Sequence, residues 1–80
     1  MLFVYSEAGR HGIWMPDIHF PLDIIWLDDR KRVVHIERAV SPDTYPTTFK
    51  PDEPARYVLE VDAGVIDETG LTEGDAVTWQ

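Results

Sequence analysis

Eighty residues, 44% of them apolar and with three each of Trp, Tyr and Phe, specify one small globular domain spanning residues 1–80. Fifteen acidic against seven basic residues give a formal net charge of −8, a field that repels phosphate backbones and removes nucleic acid from the expected partners. The absence of cysteine excludes disulfides, thiolate nucleophiles and Cys-based metal centres, and no window approaches the roughly 20 apolar residues of a membrane span.

The apolar start has no basic region ahead of it, unlike a secretory leader, so the chain is expected to be soluble and cytoplasmic. Nine Asp against two Lys (Lys31 and Lys50) also give the surface of a salt-adapted protein, whose self-repulsion high salt would screen.

Leu2 to Tyr5 reads as a short opening strand, and SEAGRHG (6–12), with two glycines, as a turn. Residues 12–15 are extended and stop at Pro16. Pro21 opens the clearest strand, Leu22 to Leu27, whose consecutive Ile24, Ile25, Trp26 and Leu27 require cover on both faces. DDRKR (28–32) turns the chain, and Val33 to Arg38 returns as a half-exposed hairpin partner in which Val34 and Ile36 alternate with Val33, His35 and Glu37.

Ala39 to Ala55 forms a long connection with four prolines (Pro42, Pro46, Pro51, Pro54), a length more often functional than idle. Tyr57 to Val61 is the next strand. Asp62 then reads as the N-cap of a short helix over 63–69, stopped by Gly70. The chain turns at Gly74 and closes with a strand over Ala76 to Trp79. The fold class is therefore mostly β (α+β): a small β-barrel-like or curved sheet with one short helix.

Three blocks are distinctive in combination: WM-x5-PLD-x3-LD from Trp14, V-x-H-I from Val33, and YVLE-x2-AG-x5-G-x3-GD-x-V from Tyr57. Together they resemble the conserved family known as domain of unknown function 192, over nearly the whole chain. The resemblance implies a small β-barrel-like fold and no established activity. It also implies a strand and helix upstream of Leu2, with an Arg-Gly-Leu-Met block, that this chain does not carry. Where the family has Lys-Asn-Thr after Trp-Met, this sequence has Pro16, Asp17 and Ile18.

Among candidate sites, the patch before the Leu22 strand comes first. Trp14 offers a flat apolar floor and Asp17, His19 and Asp23 offer hydrogen-bonding groups, a combination suited to a polar ring such as a sugar. The alternative is architectural: Trp14 belongs to the core, and Asp23 accepts backbone N–H bonds that hold the loop at the strand entrance. Tyr45 and Phe49 in the long connection supply either an adhesive second wall or a cap over an open end of the sheet.

His11, Asp17, His19, His35 and Glu37 are metal-ligand types, but no metal-binding spacing joins them, and no metal or other cofactor is expected. No nucleophile turn or oxyanion loop accompanies the serines. The leading expectation is a non-enzymatic binding module for a small polar ligand, perched on the 14–23 and 39–55 segments. The rivals are a protein-interaction or self-associating domain, and a metal-assisted hydrolase built on His19 and Asp17.

Overall fold

The computed structural model describes residues 2–10, 12, 20–41, 50–51 and 53–78. In chain order these form β1 (Leu2–Gly9), β2 (Leu22–Leu27), β3 (Val33–Val40), β4 (Ala55–Asp62) and α1 (Val65–Thr69). The strands make an open sheet in the order β1-β4-β2-β3, with every neighbouring pair antiparallel. This is the mostly β domain with one short helix that the sequence predicts.

β2 has the predicted limits and takes an inner position, because its apolar run has no side to offer water; all six of its residues are buried. The side chains sort onto two faces. Ile25, Leu27 and Val33 lie on one, joined by Ile66 of α1 and flanked by Ile36, Tyr57, Leu59, Val61, Leu71 and Val77. Leu22, Ile24, Trp26, Val40, Ala55 and Val58 make the core of the other, with Phe3, Tyr5 and Val34 against it.

The turn between β2 and β3 is written by Asp28. Its Oδ1 accepts the N–H groups of Arg30 (2.9 Å) and Arg32 (3.0 Å), while its carbonyl accepts Lys31 N–H at 3.0 Å. Lys31 takes φ +62°, the left-handed residue of a three-residue hairpin loop, and one pair beyond the loop the ladder slips by one residue between Leu27 and Trp26.

A second slip lies at the other end of the hairpin, where Leu22 faces Val40 but Ile24 faces Glu37. Arg38 and Ala39 therefore stand together opposite Asp23. Ala39 absorbs the extra residue at φ +50°, a conformation costing an L-residue about 1–2 kcal/mol. Ala39 is exposed, so Ala39→Gly removes no buried contact. Glycine returns about 0.4–1 kcal/mol to the unfolded chain as entropy, leaving a net gain of about 0.5–1 kcal/mol, read as a raised urea midpoint at unchanged slope.

Four local expectations shift. β1 runs on to Gly9 instead of turning at Ser6, because a register change after Val4 lets the polar 6–8 stretch follow the sheet until Gly9 meets Ala55. β3 continues through Val40 and β4 begins at Ala55, which shortens the long connection at its front. Asp62 does not cap the helix: it pairs with Leu22 as the last residue of β4, and α1 starts after Gly64 (φ +97°) with no side-chain cap of its own.

The closing strand contracts, among the described residues, to a single bridge between Arg32 and Ala76. A turn at 72–75, held by Thr72 N–H on Asp75 Oδ2 (2.9 Å) and by Gly74 at φ +91°, brings the chain alongside the hairpin turn instead of along a strand. Gly70 (φ +71°) stops the helix as expected, its N–H bonded to Ile66 carbonyl at 3.0 Å.

Candidate functional site

Asp23 occupies the corner where β2 begins. Its residue is 1% exposed, and its carboxylate is met by three backbone amides. Oδ1 accepts Ala39 N–H at 2.8 Å; Oδ2 accepts Gly64 N–H at 3.0 Å and Ile66 N–H at 3.1 Å. One side chain thus satisfies the orphan donor of the β3 bulge and two donors at the start of α1, the helix that lacks a local cap. The anchoring role is the one these bonds describe. Among the described residues no buried side-chain polar atom lacks a partner.

The face opposite α1 carries the polar groups. Cross-strand partners share a face, so Ile24 places Glu60 of β4 and Glu37 of β3 on its two sides, and Trp26 places His35 beside it. His35 Nε2 lies 2.8 Å from Glu37 Oε2, and the His35 ring meets the fully buried Trp26 ring edge-on at 5.2 Å. Arg56 Nε of β4 donates to the Tyr5 carbonyl of β1 at 3.1 Å.

Burial pushes the Glu60 carboxyl above the usual glutamate range, and burial together with the Glu60 charge raises the Tyr5 phenol. A carboxyl whose folded value is raised contributes stability that is fully present below its unfolded value and is lost as pH rises through the folded value. The urea midpoint should accordingly fall as pH climbs across the upper carboxylate range, and in Glu60→Gln that fall should shrink.

Of the residues expected to contact a ligand, Trp14, Asp17, His19, Tyr45 and Phe49 lie outside the described residues; Asp23 is placed as above. Phe20, next in line, is exposed (55%). The Tyr5, Glu60, His35 and Glu37 row went unassigned as a unit in the sequence. Its signal was available in the i, i+2 spacing of His35 and Glu37 on one strand and in the alternation of Val58 and Glu60 on another. Among the described residues no group of three or more His, Asp or Glu is placed to hold a metal ion, and no helix is long and apolar enough to cross a membrane.

The two long connections between sheet strands meet at both ends. Residues 10–21 join β1 to β2, and residues 41–54 join β3 to β4. At one end of the sheet Arg10 Nε donates to the carbonyl of Pro51 at 3.0 Å, tying the start of the first connection to the later part of the second. At the other end Leu22 pairs with Val40, and Asp23 holds Ala39, so the exit of the first adjoins the entrance of the second.

Sheet, helix and anchor define a class: a small one-sheet domain that keeps a short helix on one face and gathers its polar groups on the other. The chain belongs to the DUF192 family (Uncharacterized ACR), whose model matches residues 1–79. It is 40% identical to a UPF0127 protein of Thermococcus gammatolerans over 58 residues, covering 72% of this chain and 35% of that protein. To a UPF0127 protein of Thermococcus kodakarensis it is 34% identical over 74 residues, covering 92% and 43%.

A crystal structure from Sinorhizobium meliloti, described as a candidate transcription regulator, superposes with a TM-score of 0.89 at 29% identity, over 95% of this chain and 58% of that one. The chain spans less than two thirds of the length of each of these relatives.

Proposed function

We propose that the domain is a non-enzymatic binding module for a small polar molecule, with a carbohydrate as the first class to try. The observation that carries this reading is the double junction of the two connections, Arg10 with Pro51 at one end and Asp23 with Ala39 at the other. The two segments whose ends are so joined hold, in sequence, the aromatic and acidic residues a sugar site uses: Trp14, Asp17 and His19 in one, Tyr45 and Phe49 in the other.

Topology supports the same arrangement. β1 is parallel to β2, and β3 is parallel to β4, so both connections are crossovers. The two pairs run in opposite directions along the sheet and step across it in opposite senses. The face opposite α1 offers Tyr5, His35, Glu37 and Glu60, and Asp23 anchors the sheet from the helix side. The description of the Sinorhizobium relative is not carried over as DNA contact, because a charge of −8 opposes phosphate.

The test is a two-dimensional amide spectrum of the chain in high salt, titrated with a panel of neutral sugars and with zinc. Sugar-dependent shifts confined to 10–23, 39–55 and the polar row, abolished in a folded Trp14→Ala variant, are the expected result. Unchanged affinity in that variant would remove the proposed floor. Zinc shifts at His19 and Asp17 without any sugar response would replace the module with the metal-assisted alternative.

A further inference from the structure

Three stretches of chain come together around Asp23, and each continues into a different part of the molecule. Pro21 and Leu22 end the first long connection, Arg38 to Val40 lead into the second, and Asp62 to Asp67 carry β4 into α1. Leu22 pairs with Val40 on one side and with Asp62 on the other, and Ala63 N–H donates to the Pro21 carbonyl at 3.4 Å. Asp23 Oδ1 holds the bulge at Ala39, while Oδ2 of the same planar carboxylate holds Gly64 and Ile66. Arg38 Nε lies 3.3 Å from Asp67 Oδ1, a second link between the same bulge and the same helix.

We infer that this corner is a conformational coupling device: α1 and the Ala39 bulge open together, in one step, ahead of the rest of the sheet. Neither partner is self-sufficient. α1 has five residues, no side-chain cap of its own and one buried side chain, Ile66, and is too short to persist alone. Ala39 stands at φ +50°, a conformation an L-residue leaves once its restraint is gone. If α1 lifts away, the buried carboxylate loses two of its three backbone donors and must turn to water, which drops the Ala39 amide as well. If the bulge relaxes first, Oδ1 is stranded, and water entering the corner competes for Gly64 and Ile66. The Arg38–Asp67 pair is at least half exposed on both sides and adds little energy, yet it breaks in the same step.

β2 pairs with β3 and β4 along the rest of its length, so the sheet stays intact while the corner opens. On the binding-module reading above, a ligand gripped by either connection also steadies α1, because the exit of one and the entrance of the other meet here.

Native-state amide exchange of the full chain without ligand, over a series of low urea concentrations, tests the coupling apart from the sugar reading. The Ala39, Gly64 and Ile66 amides should share one opening free energy and one urea slope, both smaller than those of Ile25 and Val58 in the core. Two substitutions perturb the corner from opposite sides. Gly70→Ala strains the helix stop at φ +71°, where a Cβ meets no described atom within 4 Å, so only the backbone conformation is penalised. It should speed exchange at Ala39 by the same factor as at Ile66, about fivefold or more. Ala39→Gly should slow exchange at Gly64 and Ile66 together, by about twofold to fivefold. An Ala39 amide that is unchanged in Gly70→Ala overturns the inference. So does a common opening free energy for corner and core amides, which would leave the corner no opening of its own.

Discussion

Asp23→Ala should remove about half of the domain's stability. The substitution strands three buried or half-buried amides at once, those of Ala39, Gly64 and Ile66. Each such donor left unmet costs about 1–3 kcal/mol, and with some water reaching the vacated corner the sum is about 3–6 kcal/mol. Against it stands a total of about 4–12 kcal/mol for a chain of this length. The loss is therefore about half of what the fold has. Asp23→Asn separates geometry from count: one oxygen survives, but its amide nitrogen turns a donor toward another donor. About 2–3 kcal/mol should go, with the domain still folded in the cold. Urea unfolding followed by far-UV circular dichroism measures both, and hydrogen exchange at Ala39, Gly64 and Ile66 should accelerate first in Asp23→Asn. An Asp23→Ala midpoint within error of the parent would mean that the three amides find water at no cost.

That same corner shows where sequence reasoning reaches its limit. β2 was legible to the residue because six successive side chains state their need for cover locally. The acceptor role of Asp23 could be anticipated from its place at a strand entrance, but not its partners, which lie 16, 41 and 43 residues away. Helix capping was misassigned for the related reason that local patterns search the neighbouring residue. Asp62 is adjacent to the helix yet committed to the β4 ladder, while the acceptor that does the capping arrives from another strand. Left-handed Ala39 left no mark at all, since nothing about alanine announces positive φ. The polar face was half legible: alternation gives the side each residue points to, whereas the pairing of Glu60, Ile24 and Glu37 depends on which strands become neighbours.

Trp26 governs the second large effect, and it decides how firmly that polar face is held. Its side chain is fully buried beneath the row, in a core with Leu22, Ile24, Val40, Ala55 and Val58, and its ring supports the edge of His35. Trp26→Ala deletes the largest buried side chain among the described residues and should cost about 3–5 kcal/mol, since a close-packed sheet face cannot fully collapse into the space. Trp26→Phe keeps most of the apolar contact and an aromatic face for His35, and should cost about 1–2 kcal/mol, a fall of about 5–10 °C in Tm for a domain of this size. If both follow these values, the ring is the platform that fixes the His35–Glu37 pair, and the shape of the polar row is inherited from the core. A Trp26→Ala variant that loses only about 1 kcal/mol would instead mean that the surrounding side chains collapse into the void. The face would then be adaptable, and its polar groups would be positioned by whatever binds there.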